Sequence, residues 1–142
     1  MEVERMGSAL NWRLHRIKAE TITDGDLPLK EIVTLPVSFE TNFIGTLYVR
    51  FPYAVTIKKI RAVAMDTIEG TNDATITCGN ATGASAGGVV TVTKAITIGT
   101  ECTAVVPTTN MTVAKDSYYY LTSAKTNVGG HALVTLEYIR SA

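Results

Sequence analysis

The sequence is poor in charge and in the side chains that enzymes use for catalysis. Only 18% of its 142 residues are charged, and 13 basic and 13 acidic residues cancel to a formal net charge of zero. General nucleic-acid binders carry a basic excess, so this balance argues against a nucleic-acid partner. The two histidines, His15 and His131, stand in no recognisable motif with a Ser or Cys nucleophile. We therefore expect no catalytic residues and no enzyme activity.

Cysteines and long apolar runs are also scarce. Cys78 and Cys102 are too few for a zinc site or a disulfide framework, and we interpret them as reduced, semi-buried thiols. A bridge between two neighbouring strands, formed in an oxidising medium, is the alternative. No run approaches the roughly 20 apolar residues of a membrane span, and the first residues lack the apolar region of a signal peptide. The expected setting is the cytoplasm in which the chain is made, with no membrane partner.

Two loops that could hold a ligand lack the pattern for it. The acidic group Asp66, Glu69 and Asp73 lacks the regular alternation and terminal Glu of a calcium loop, and is interpreted as solvated. The glycine-rich stretch 83–88 is followed by neither a Lys nor a helix start, so it is no phosphate cradle. We expect no cofactor and no metal.

Threonine and valine are abundant instead, and their distribution divides the chain. The 22 Thr and 14 Val residues make up a quarter of the sequence. Residues 1–31 carry 11 of the 26 charged residues, whereas the remaining 111 residues carry only 15. This change of composition predicts an N-terminal arm, residues 1–31, followed by a single domain, residues 32–142, with Thr-rich outer surfaces.

The pattern from Ile32 onward predicts an all-β fold. About eight short alternating runs separated by turn signals are typical of an antiparallel β-sandwich or jelly roll. Pro36 suits an edge strand, and a change of phase at Lys58-Lys59 indicates a β-bulge. We expect a long flexible hairpin loop at 79–88, a strand at 100–106, a hairpin turn at 127–130 and a final strand at 131–139.

Two sets of side chains are candidates for partner contacts. The arm mixes aromatic, aliphatic and guanidinium groups, of which Trp and Arg are enriched at interface hot spots. On a strand, Tyr119 faces opposite to Tyr118 and Tyr120, so at least one ring reaches the surface, and Tyr119 is the predicted surface contact. The predicted contacts of the arm are Trp12, Arg13, Leu14, Arg16 and Ile17.

Several stretches of the body resemble small virion proteins of tailed bacteriophages. The likeness covers residues 32–140 and includes the capsid-decoration (cement) proteins of phage heads. The likeness implies a β-sandwich or jelly-roll body and a general type of function. It does not assign a functional role to any individual residue. The stretches that carry it are Val37-Ser38-Phe39-Glu40, the run from Phe51-Pro52-Tyr53 to Ile60-Arg61, Val106-Pro107-Thr108-Thr109-Asn110 and Leu136-Glu137-Tyr138.

The resemblance implies a structural virion protein, made in the host cytoplasm, that decorates and stabilises a capsid. Its expected partners are the major capsid protein, whose subunits it would bridge, and further copies of itself, with a trimer as the expected state. An alternative from another class stays open. In it, the chain is a receptor- or glycan-binding module of a phage head or tail fibre, and it uses exposed tyrosines and the 79–88 loop.

Overall fold

The structure is a computed structural model that describes residues 30–127 and 129–141. Eight strands account for the regular structure of these residues, and all their pairings are antiparallel. No helix in the described part of the chain is long and apolar enough to cross a membrane. The strands are β1 Glu31–Ser38, β2 Thr46–Phe51, β3 Val55–Ala64, β4 Ala74–Asn80, β5 Gly83–Val92, β6 Thr112–Val113, β7 Ser117–Ala124 and β8 His131–Arg140.

The strands form two four-stranded sheets with jelly-roll topology. Sheet I has the order β1-β8-β3-β6, and sheet II has the order β2-β7-β4-β5. The chain changes sheet at every connection except the β4–β5 hairpin. Such an arrangement, with two Greek keys folded into facing sheets, defines a jelly roll and confirms the predicted fold class.

The core lies between the sheets and consists of the inward residues of both. Alternation along each strand directs every second side chain inward, as β8 shows with Ala132, Val134, Leu136 and Tyr138 buried in turn. Across the core, the rings of Phe51 in sheet II and Tyr138 in sheet I meet edge to face, with centroids 5.0 Å apart. This shared apolar layer is what holds the two sheets together.

Two local predictions are confirmed. Pro36 lies on β1, an edge strand of sheet I, where the missing N–H breaks no interior ladder. The register of β3 against β8 shifts between Ile57 and Lys59, which places a bulge at Lys58. The bulge keeps Ile57 and Ile60 buried although they are three residues apart.

The predicted flexible loop at 79–88 is wrong. β5 begins at Gly83, so the hairpin turn is confined to Ala81 and Thr82. The side chain of Asn80 tightens this turn by accepting hydrogen bonds from the backbone N–H groups of Thr82 and Gly83 at 3.0 and 3.2 Å. The small residues that suggested a loop instead let the two backbones pass close together.

Two other connections differ from expectation. Residues 100–106 form no continuous strand, only isolated bridges that pair Glu101 with Val63 and Val105 with Ile60. The predicted hairpin at 127–130 is also wrong, because β7 and β8, the strands on either side, belong to different sheets. That turn carries the chain from one sheet to the other.

Candidate functional site

The predicted surface contact at Tyr119 is wrong. Tyr119 is 0% exposed and belongs to the core, on the same face of β7 as Leu121 and Ser123. Its hydroxyl is buried without a hydrogen-bond partner among the described residues, and burial raises its pKa. The alternation of the three tyrosines was predicted correctly, but the face that points to solvent is the one that carries Tyr118 and Tyr120.

Three tyrosines form one cluster on the outer face of sheet II, here called the tyrosine face: the exposed Tyr48 and Tyr118 and the half-buried Tyr120. Tyr48 on β2 lies directly opposite Tyr120 on β7. The Tyr48 ring meets Tyr120 and Tyr118 edge to face, with centroids 5.2 and 6.1 Å apart. Tyr48 is 62% exposed and Tyr118 is 40% exposed. The three rings therefore support one another and still present aromatic surface to solvent.

Polar groups flank the tyrosine face on both sides. Arg50, which pairs with Tyr118 in the strand register, donates a hydrogen bond to Asp116 at 3.2 Å. On the other side, the strand register aligns Thr46, Thr122 and Thr77 across three strands. The hydroxyls of Thr46 and Thr122 lie 2.9 Å apart. The rings thus lie between an exposed ion pair and a row of hydroxyls.

A second cluster lies in sheet I, where β1 begins. The carboxylate of Glu31 accepts hydrogen bonds from Arg140 Nε at 2.7 Å, Tyr53 at 3.0 Å and Tyr138 at 3.1 Å. The Arg140 guanidinium also stacks 4.0 Å from the centroid of the Tyr53 ring. The hydrogen bond from Arg140 is the main cause that lowers the pKa of Glu31, against the opposing effect of burial. This cluster fixes the first residue of β1 to the last residue of β8.

His131 is a hydrogen-bonded strand residue, as predicted. Its Nδ1 lies 2.6 Å from Asp66 Oδ2, and its backbone N–H donates to Asp66 Oδ1 at 2.5 Å. Asp66 thereby ties the loop after β3 to the start of β8. Within residues 30–127 and 129–141, no three His, Cys, Asp or Glu side chains are grouped so as to hold a metal ion.

The two cysteines are free thiols in the core. Cys78 is 0% exposed and Cys102 is 6% exposed. Burial raises the pKa of Cys78 to about 12 and also raises that of Cys102. A thiol that does not ionise near neutral pH is a poor nucleophile and a poor metal ligand, so both act as small apolar residues.

A groove of about 400 Å³ lies between β5 and the segment 101–105. Its described lining is aliphatic and Thr-rich, with Glu101 as the charged member, and Glu101 is already paired with Arg61 at 2.7 Å. Cys102 also lines the groove, but its thiol is nearly buried and burial raises its pKa, so we assign the groove no chemistry.

The predicted contacts of the arm, Trp12, Arg13, Leu14, Arg16 and Ile17, lie outside the described residues. What sequence reasoning missed in the body is Tyr48, whose partner strand could not be known. The sequence did contain a signal that Tyr119 is buried. Leu121 is aliphatic and shares its face, so the pair marks the buried side of β7.

Comparison with solved structures shows that this fold resembles that of chains in two phage capsids. No family model and no curated protein sequence matches the chain. A chain of the acidic stable capsid structure of Helicobacter pylori bacteriophage KHP30 matches with a TM-score of 0.53 and 10% identity, over 80% of this chain and 89% of that one. A chain of the cyanophage Pam1 capsid asymmetric unit matches with a TM-score of 0.50 and 13% identity, over 82% and 89%. At these identities the likeness concerns the fold alone, and the fold is a capsid-like jelly roll.

Proposed function

We propose that this chain is a structural virion protein that decorates and stabilises a bacteriophage capsid. The observation that carries the proposal is the fold, with β1-β8-β3-β6 facing β2-β7-β4-β5, which resembles the fold of chains in two phage capsids. The described residues also lack a metal-binding group, and their His and Cys side chains are used in hydrogen bonding and core packing. A structural role requires neither a metal ion nor a reactive side chain.

The proposed contact mode uses the arm and repeated copies. Trp12, Arg13, Leu14, Arg16 and Ile17 would bind across major capsid protein subunits, with the aromatic and guanidinium groups as anchors. Copies of the chain would associate around a symmetry axis, as a trimer, on the outer surface of the head. Three weak arm contacts held on one assembly retain it far better than one, because each bound arm keeps the others at high effective concentration.

A receptor-binding module is a second candidate, and the tyrosine face is the observation that favours it. Tyr48 and Tyr118 offer exposed aromatic area, which is enriched at recognition surfaces. The 79–88 loop that this alternative also invoked is replaced by the start of β5. In this role the body alone would bind the cell surface, without any need for the arm.

Co-sedimentation with phage heads separates the two candidates. Expanded heads that lack this protein are mixed with the full chain, with Trp12→Ala/Arg16→Ala, and with a form lacking residues 1–30. Thermal unfolding first establishes that each variant retains a folded body.

Saturable binding by the full chain, weakened in the arm variants, is the expected result. Binding by none of the three folded proteins would contradict the decoration role. Binding of the truncated body to host cells rather than to heads would favour the receptor role.

A further inference from the structure

We infer that the tyrosine face, with Arg50, Asp116 and the adjacent threonines, is a binding site for a neutral carbohydrate. This inference rests on the second candidate of the proposed function, the receptor role, and names the class of ligand for it. It goes beyond capsid decoration, since it concerns a surface of the body that does not depend on the arm. A sugar ring has flat C–H faces and a rim of hydroxyls, so its site needs exposed aromatic surface beside several hydrogen-bonding groups.

The aromatic part of this requirement is met by a rigid platform. The Tyr48 ring on the outer face of sheet II makes edge-to-face contacts with both Tyr118 and Tyr120. These contacts restrict the ring before any ligand arrives, so less side-chain entropy is lost on binding. Since 62% of Tyr48 is exposed, its ring is accessible to a stacked sugar.

The polar part is supplied on both sides of the rings. The Arg50–Asp116 pair is open to solvent, with side chains 61% and 53% exposed, and it offers N–H donors and carboxylate acceptors to a ligand hydroxyl. The Thr46–Thr122 pair adds hydroxyls that both donate and accept. A few polar groups around an apolar centre are the usual composition of a small-molecule site.

Charge decides in favour of a neutral ligand. Arg50 is the single charged residue in the four strands of sheet II, and Asp116 neutralises it. Within the four strands of sheet II, an acidic sugar would therefore find no unpaired cation, and a basic ligand would find no unpaired anion. Beside the rings, the aligned neighbours Thr46, Thr122 and Thr77 carry hydroxyls, and the row ends on β5 at Val89, which is 47% exposed. A sugar can use both kinds of side chain, since its C–H faces pack on apolar surface and its hydroxyls form hydrogen bonds.

The test is binding of the full chain, without heads, to a printed set of oligosaccharides, followed by calorimetric titration of the best probe. The set contains neutral hexose and N-acetylhexosamine oligomers, with heparin and polysialate as anionic probes. Saturable binding to a neutral probe is expected. Tyr48→Ala should weaken it about tenfold or more, because one stacked ring is lost.

Two further variants serve as controls for Tyr48→Ala. Tyr48→Phe retains the ring and should bind within about threefold of the natural chain, since a ring-stacking contact survives loss of the hydroxyl. Val106→Ala removes a 63% exposed apolar side chain that lies outside the strands of both sheets, and it should change nothing.

Three results would overturn the proposal. They are no binding to any neutral probe, a preference for the anionic probes, and equal loss of binding in Tyr48→Ala and Val106→Ala. If Tyr48→Ala instead abolishes co-sedimentation with heads while no sugar binds, the face is a protein contact. In that case the decoration role stands without the carbohydrate site.

Discussion

The strands of sheet I contain six charged residues and those of sheet II contain one, although the two sheets bury the same kind of inner face. Four of the six charged residues in sheet I form ion pairs: Arg61 pairs with Glu137, and also with Glu101 outside the strands, and Glu31 pairs with Arg140. Sheet II presents tyrosine and threonine with a single ion pair at its edge. The six charged residues of sheet I are Glu31, Lys58, Lys59, Arg61, Glu137 and Arg140.

This difference separates a surface whose polar groups stabilise the body itself from a surface that is available to bind a partner. The outward charges of sheet I that pair with each other are satisfied within the body and need no partner. The rings of sheet II have no such internal use, since Tyr48 remains largely exposed despite its contacts with Tyr118 and Tyr120. We therefore expect the outer face of sheet II to bind a partner. The inner faces of the two sheets should contribute equally to the free energy of unfolding.

The largest expected effect comes from the shared core. Leu136 in β8 and Leu121 in β7 are both 0% exposed and lie on interior strands of sheet I and sheet II. Leu136→Ala and Leu121→Ala should each lower the free energy of unfolding by about 3 kcal/mol, because each leaves a cavity in the same apolar layer. Urea unfolding of both variants measures this. A loss below about 1 kcal/mol in one of them would mean that its sheet is not part of the common core.

A smaller effect is expected where β4 and β5 of sheet II approach each other. A Cβ added at Gly79 would lie 1.9 Å from the carbonyl oxygen of Gly83, whereas one added at Gly45 would meet nothing within 4 Å. Gly79→Ala should therefore lower the free energy of unfolding by about 2 kcal/mol or more, since the backbone of β5 must shift. Gly45→Ala is the matched control and should be neutral or slightly stabilising. Equal unfolding midpoints for the two variants would contradict the close approach.

The smallest effect concerns the charges of sheet I and depends on pH. The pKa of Glu31 is held below its ordinary value of 4.5, chiefly by the hydrogen bond from Arg140. Because the folded state binds this proton less readily than the unfolded state, the carboxylate stabilises the fold above that ordinary pKa. The stabilisation is lost as the pH falls through the lowered pKa of the folded state.

Glu31→Gln removes this contribution and tests it. The free energy of unfolding of the variant should fall less steeply than that of the natural chain between about pH 5 and pH 3. Urea unfolding at several pH values provides both curves. Parallel curves would mean that the Glu31–Arg140 contact adds no stability that depends on pH.

The sequence carried enough information for the fold class, the edge position of Pro36 and the bulge at Lys58. Each of these follows from a periodicity of two or from the missing N–H of proline, which act within one strand. The error at 79–88 has a different cause. Glycine, alanine and serine weaken the strand signal, but at Gly79 the absence of a side chain is what allows β5 to pair closely with β4.

The candidate site was less accessible to sequence reasoning because it joins strands that are distant in the chain. Tyr48 and Tyr120 become neighbours only when β2 pairs with β7, and Arg50 meets Asp116 through the same pairing. No local pattern encodes that register. Alternation within β7 did predict that Tyr119 faces away from Tyr118 and Tyr120. Which of the two faces is buried could be decided only from the aliphatic Leu121, which shares its face with Tyr119.

The central claim is that this jelly roll is attached to a capsid through its arm and keeps the tyrosine face free. Cryo-electron microscopy of heads saturated with the purified full chain tests it most directly. We predict ordered jelly-roll density on the outer surface of the head, in symmetric groups, with Tyr48 directed toward solvent. Heads without added density, or density in which sheet II lies against the capsid, would contradict the account.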